Sequence, residues 1–202
     1  MKTFDISLKP LTEETIKGLG TIFHTFSETE IELVRWRTAG SRPVDVGGYG
    51  GVVAGSFEVY WRGQIAYYRN EAVGHGQVLG WAVDPDAASK DVEMTERPFI
   101  LVDLVNYHDD GGQAFIATDG KPSVYLLAPP GDNITPDDFV ALYNNGRLGI
   151  NLHPGVWHLG PVPLSQHGEY DNKQGRIHAT VEIYAQQEFG GLFKVPLDKV
   201  EG

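Results

Sequence analysis

The 202-residue chain has no cysteine. That excludes a disulfide framework and any thiolate metal site, and it suits a reducing compartment. Basic residues are scarce as well: 16 Lys and Arg stand against 27 Asp and Glu, a formal charge of -11. A nucleic-acid binder would carry a basic stripe to meet phosphates, and the sequence has none. The excess acid gives no general pull on an anionic ligand either, so a carboxylate substrate would need local Arg or Lys. Long apolar runs are missing; the longest fall far below the ~20 residues of a membrane helix. Met1-Lys2-Thr3-Phe4-Asp5 opens no apolar stretch of the kind found in secretory signals. The expectation is a cytoplasmic protein with neither nucleic acid nor membrane as partner.

What is present points to β structure. The 25 glycines and 11% aromatic residues suit short strands joined by many turns, and few segments keep a 3.6-residue period. Phe4 to Leu8 alternates as a strand, and Thr12 to Lys17 reads as a short helix capped by Thr12. Ile31 to Trp36 reads as a strand and Gly47 to Gly51 as a loop; no Gly-Lys-Ser/Thr follows, so the glycines do not read as a phosphate cradle. Ser56 to Arg62 and Gln64 to Arg69 flank Gly63 as a hairpin, followed by a strand over Gln77 to Val83. The polar stretch Pro85 to Asp91 marks a boundary between a β-rich half, residues 1–95, and a second half, residues 96–202, that carries the candidate site. There Phe99 to Val105 reads as one strand, with further strands beginning near Gln113 and Ser123. Thr135-Pro136-Asp137-Asp138 followed by Phe139 to Tyr143 reads as a helix start and its apolar face. Ile177 to Ala185 and Gly191 to Val195 supply the closing strands.

The chemistry concentrates between Asn106 and His158. Asn106-Tyr107-His108 is followed by Gln113 and Gly120; Gly149-Ile150-Asn151-Leu152-His153-Pro154-Gly155-Val156-Trp157-His158 closes the stretch. The spacing resembles a cupin, whose first motif runs His-x-His, four residues, Glu, six residues, Gly, and whose second ends in a Pro/Gly turn and a His. Asn106, His108, Gln113 and Gly120 stand at the first set of positions, and Gly149, Pro154, Gly155 and His158 at the second. A narrower resemblance, to the ureidoglycolate lyase family, rests on His108 to Gln113 with Ala114-Phe115-Ile116, on Asn145-Gly146, on Gly149 to His153 and on Val156-Trp157-His158. Leu8-Lys9-Pro10-Leu11-Thr12, with Gly20 and Ile22, is similar to that family's opening. The resemblance implies a mainly β fold, a cupin-type β-barrel with a few short helices, possibly joined by a second, incomplete barrel-like half. It implies a lyase that splits ureidoglycolate into glyoxylate and urea in purine catabolism, and a homodimer.

The resemblance also nominates residues. Asn106, His108, Gln113 and His158 are the candidate ligands for a divalent Zn, Fe, Ni or Mn. Only two of the four are imidazoles and none is a carboxylate, so mutual hydrogen bonding is the competing expectation. His108 and His158 are the candidate acid and base, since imidazole titrates near neutrality, with Glu188 as a second candidate acid. Arg97 and Lys121 are candidates for holding a carboxylate, and Gln113 and Trp157 for contacting substrate. Two basic positions of the family are absent: Asp119 precedes Gly120, and Phe189 stands where an Arg would be. His24, His75, His167 and His178 have no motif around them and are expected at the surface. Asp109-Asp110 is expected in a solvated turn. No Gly-x-Ser-x-Gly elbow supports a serine nucleophile. Two other functions stay open: a metal-dependent oxygenase or isomerase acting on another small acid, and a small-ligand-binding cupin without catalysis.

Overall fold

The computed structural model describes residues 1–34, 50–178 and 180–198. The strands are β1 Thr3–Asp5, β2 Leu8–Pro10, β3 Gly20–Phe23, β4 Val52–Arg62, β5 Ile65–Asn70, β6 His75–Trp81, β7 Phe99–Val102, β8 Leu104–His108 and β9 Gln113–Ala117. They continue as β10 Ser123–Ala128, β11 Val140–Asn144, β12 Gly149–Leu152, β13 Trp157–His158, β14 Val162–Pro163, β15 His167–Gly175, β16 Thr180–Tyr184 and β17 Leu192–Pro196. One helix, α1 (Ala185–Phe189), and three 3-10 turns complete the described residues.

The expected mainly β fold takes the form of two sheets. One runs β1-β17-β7-β6-β5-β4-β15-β9-β12-β3; the other runs β16-β8-β13-β10-β11-β2, with β14 added against β10. Strand pairing closes neither sheet into a ring among the described residues. Both sheets feed one apolar cluster, which includes Phe57 and Phe115 from the first and Tyr125, Leu126 and Leu142 from the second. Phe193 of β17 is fully buried against Phe139, with ring centroids 4.5 Å apart. Phe193→Ala is expected to lower unfolding free energy by about 3–5 kcal/mol, read from urea midpoints.

Several local expectations hold. Gly63 turns β4 into β5 with φ 57, and a Cβ there would lie 2.5 Å from the Ser89 carbonyl oxygen, so both conformation and space require glycine. Others change. Phe99 to Val105 is two strands: the chain leaves the ten-stranded sheet after Val102 and joins the other at Leu104. Asp103 marks the crossing, its carbonyl accepting from Ala185 N at 2.7 Å and its carboxylate from Gln186 N at 2.8 Å. Thr12 to Lys17 makes turns rather than a helix, with Ile16 N donating to Thr12 O at 3.1 Å. Of Ile31 to Trp36, Leu33 forms a single bridge to Gly111, while Arg35 and Trp36 lie outside the described residues, as do Gly47 to Tyr49 of the expected loop.

The expected helix over Thr135 to Tyr143 is the largest correction. Asp138 Oδ2 accepts from Thr135 N at 2.7 Å and from Thr135 Oγ1 at 2.9 Å, closing one 3-10 turn over Pro136–Asp138. Residues 140–144 then run extended as β11, antiparallel to β10 and parallel to β2. Ala141 and Leu142 are both fully buried although they point to opposite faces. Burial on two sides mimics a helical apolar face, and strand pairing overrides the start signal.

Candidate functional site

Alternation along three strands builds the site. On β8, Asn106 and His108 share a face, and Tyr107 points the other way. On β13, His158 pairs with Asn106 and faces the same side, so the adjoining Trp157 turns outward; its Nε1 donates to Gly131 O at 2.9 Å and its ring meets Tyr107 edge-on at 4.6 Å. Gln113 opens β9 and pairs in register with Gln174 of β15. Along β15, Tyr170, Asn172 and Gln174 are buried while Glu169 and Asp171 are exposed, so every second residue enters the interior.

These side chains surround a cavity of about 40 Å³. Its polar lining is Asn70, Gln77, Asn106, His108, Gln113, His158 and His178; Tyr68, Phe57 and Phe115 supply aromatic wall. That volume holds a water or two. No Lys, Arg, Asp or Glu lines the cavity among the described residues.

Gln113 sits at the centre. Its Oε1 lies 2.7 Å from His108 Nε2 and 3.0 Å from His158 Nε2, and its Nε2 donates to Asn172 Oδ1 at 2.8 Å and Gln174 Oε1 at 3.0 Å. The two imidazole rings stand 5.1 Å apart. His158 is 5% exposed, and its Nδ1 lies 2.8 Å from Val156 O. Both nitrogens of His158 therefore face acceptors, an arrangement that only an imidazolium fills. Burial and the neighbouring His108 act the other way and lower its pKa to about 3. The neutral form prevails, since removing a cation from water costs more than the roughly 1–3 kcal/mol of one hydrogen bond. With the proton on Nδ1, donated to Val156 O, Nε2 carries a lone pair at the cavity, beside the Gln113 oxygen.

His178 is the residue that the sequence concealed. It was expected at the surface, yet its ring lies 5.2 Å from His108 and lines the cavity. Its φ of 50 is the left-handed conformation that side chains avoid. Asp110, expected in a solvated turn, is instead 4% exposed and accepts from Ile177 N at 3.2 Å, pinning the turn that presents His178. A Cβ on Gly175 would collide with the Asp110 carboxylate, so glycine is needed there too. Burial, then His108 and His75, lowers the His178 pKa to about 4, while burial raises that of Asp110.

The remaining nominated residues lie elsewhere. Glu188 is exposed on α1. Arg97 stacks over Trp61 at 4.5 Å and donates to Gln166 Oε1 at 2.7 Å. Lys121 pairs with Asp119 at 2.8 Å.

The donor set does not fit a divalent ion. The described residues contain no group of three or more His, Cys, Asp or Glu placed to hold one. The nitrogens of His108 and His158 that face inward converge on a neutral amide oxygen, and among the described residues no carboxylate lines the cavity to add charge that would hold an ion.

A family model described as "Ureidoglycolate lyase" matches residues 64–187, more than half of the chain. The chain belongs to the ureidoglycolate lyase family. Curated relatives named "Ureidoglycolate lyase" include one from Stutzerimonas stutzeri, 36% identical over 78 residues, or 39% of this chain and 45% of the relative. One from Azotobacter vinelandii is 34% identical over 35% of this chain and 43% of its own length. One from Pseudomonas aeruginosa is 41% identical over 39% of this chain and 46% of its own. The chain thus spans less than half the length of these relatives. In this ureidoglycolate lyase family member His108, Gln113 and His158 stand together, with His178, Asn70, Asn172 and Gln174 around them. No helix among the described residues is long and apolar enough to cross a membrane.

The buried histidines set the acid response of this family member. His158 and His178 have folded pKa values below the ordinary imidazole value, so the unfolded chain binds more protons as pH drops through about 6.5 toward 4. Stability is expected to fall over that window, by roughly 1.4 kcal/mol per pH unit from His158 and less from half-buried His178. Asp110, with its raised pKa, acts in the opposite sense near the acid end of the window. Urea midpoints from about pH 7.5 to 4.5 test this; no fall would mean that His158 is charged in the folded protein.

Proposed function

We propose that the protein is a lyase that breaks the C–N bond of ureidoglycolate, releasing glyoxylate and urea. The observation that carries this reading is the convergence of His108 and His158 on the Gln113 amide oxygen beside a small cavity. The family membership supplies the substrate. The reaction asks only for a proton to move from the hydroxyl of the substrate to its nitrogen. His158 Nε2 takes the hydroxyl proton, the O–H electrons become the second C–O bond, and the C–N electrons leave with the urea nitrogen. The same proton, returned by His158, completes urea, so no oxidant or further reactant enters. His108 donates its Nε2–H to Gln113 and keeps that amide in place. With Arg97 and Lys121 engaged elsewhere, N–H donors of Asn106 and His178 are the groups at hand for the substrate carboxylate.

We further propose that the enzyme works in the cytoplasm as a homodimer, in purine breakdown. Support for the dimer is the free outer edge of β16 among the described residues, where Val181 and Tyr184 are 39% and 45% exposed. Light scattering of the purified protein tests it.

The deciding assay adds ureidoglycolate to the purified protein and follows glyoxylate, with and without a chelator. Release that is indifferent to the chelator is expected. Release abolished by the chelator would reinstate the metal. Binding without release would make the protein a small-acid-binding cupin.

A further inference from the structure

Four buried amides lie behind the two histidines, and their hydrogen bonds fix one another's direction. An amide's oxygen and nitrogen are alike in shape, so direction has to be read from partners of known sense. The Ala72 backbone N–H is such a partner, since it can only donate. It lies 3.1 Å from Asn70, so the Asn70 atom there is Oδ1. The Asn70 amino group is then the one 2.6 Å from Gln174, which must present Oε1. Asn172 meets the Asn70 oxygen at 3.1 Å with its amino group, and so turns its own oxygen toward Gln113. Gln113 faces two oxygens, on Asn172 and Gln174, and must place its amino group between them. Turning Gln113 round would set three oxygens against one another inside a site where all four amides are 3% exposed or less. Each such clash leaves a buried polar atom unsatisfied.

We propose that Asn70, Asn172 and Gln174 are positioning residues, forming with Gln113 an amide relay that is anchored on the Ala72 N–H and fixes which ring nitrogens of His108 and His178 carry protons. At one end the relay points the Gln113 oxygen at His108, which answers with Nε2–H at 2.7 Å. At the other end it points the Gln174 amino group at His178 Nδ1, 2.7 Å away, so His178 holds its proton on Nε2. The relay thus reads one backbone N–H out as two tautomers. The Gln113 oxygen is also in place to accept a hydrogen bond from His158 Nε2 once that nitrogen is protonated, 3.0 Å away. Its catalytic meaning rests on the lyase reading; its existence does not.

The test is a long-range proton–nitrogen NMR spectrum of the full chain with labelled histidine, at a pH where the histidines are neutral and without substrate. His108 and His178 are expected in the Nε2–H form. In Asn70→Asp the carboxylate cannot donate, so Gln174 turns its amino group to it and presents oxygen to His178, which moves to Nδ1–H. Gln174→Glu forces the same change from the other side. An Nδ1–H form of His178 in the unaltered protein overturns the proposal even if neither variant folds, and so does a folded variant with an unchanged tautomer. Expected tautomers without glyoxylate release would sink the lyase reading and leave the relay standing. Glyoxylate release with the opposite tautomers would do the reverse.

Discussion

His158→Ala is expected to lower kcat/KM for ureidoglycolate by roughly 10²–10⁴-fold, the range of a lost general base. The expectation follows from the neutral state of the ring. With Nδ1–H tied to the Val156 carbonyl at 2.8 Å, Nε2 is the nitrogen left to accept a proton inside the cavity. His108 cannot take over in place, because its inward nitrogen already donates to Gln113. The low pKa of His158 also means that the unaltered enzyme should show no activity loss near the ordinary imidazole pKa on acidification. Steady-state kinetics on both proteins, with circular dichroism to confirm folding, is the check. An alanine variant with full turnover removes His158 from the mechanism.

Gln113→Glu is expected to destabilise the site and to make turnover acid-sensitive, although it restores the residue type that cupins carry at this position. A carboxylate between His108 and His158 favours their charged forms, commonly by 1–3 pKa units for a close opposite charge. Raised by that amount from about 3, His158 stays mostly neutral at pH 7, so kcat/KM should fall chiefly below about pH 6. The second oxygen meets Asn172 Oδ1 and Gln174 Oε1, which now receive from Gln113 Nε2 at 2.8 and 3.0 Å. Facing oxygen to oxygen in a buried site costs about 1–3 kcal/mol, and more for a charged group. The variant should therefore melt earlier at neutral pH and recover part of the difference on acidification. Unchanged kinetics together with an unchanged melt would show that the site does not depend on an amide at 113.

That requirement for an amide explains what could be read from the sequence. His108, Gln113 and His158 were legible because motif spacing survives without knowledge of the packing, and the Gly63 hairpin because its turn chemistry is local. The partners of Gln113 were not. Asn172 and Gln174 lie on β15, where both faces are polar: Glu169 and Asp171 meet water while Asn172 and Gln174 meet other amides. Period-2 analysis sees contrast in hydropathy, and this strand offers little. His178 was missed for a different reason, since it reaches the site through a left-handed turn held by a buried Asp110, and neither feature has a sequence signature. The helix expected at 135–143 failed because a capping turn and a strand buried on both sides together imitate one.

The left-handed backbone at His178 sets two kinds of fitness against each other. A non-glycine residue in that region costs on the order of 1 kcal/mol, so glycine there would relieve strain while deleting an imidazole from the cavity wall. Thermal hardening and turnover would then pull this position in opposite directions. A library sorted only for heat tolerance would drift toward a sturdier protein with a poorer site.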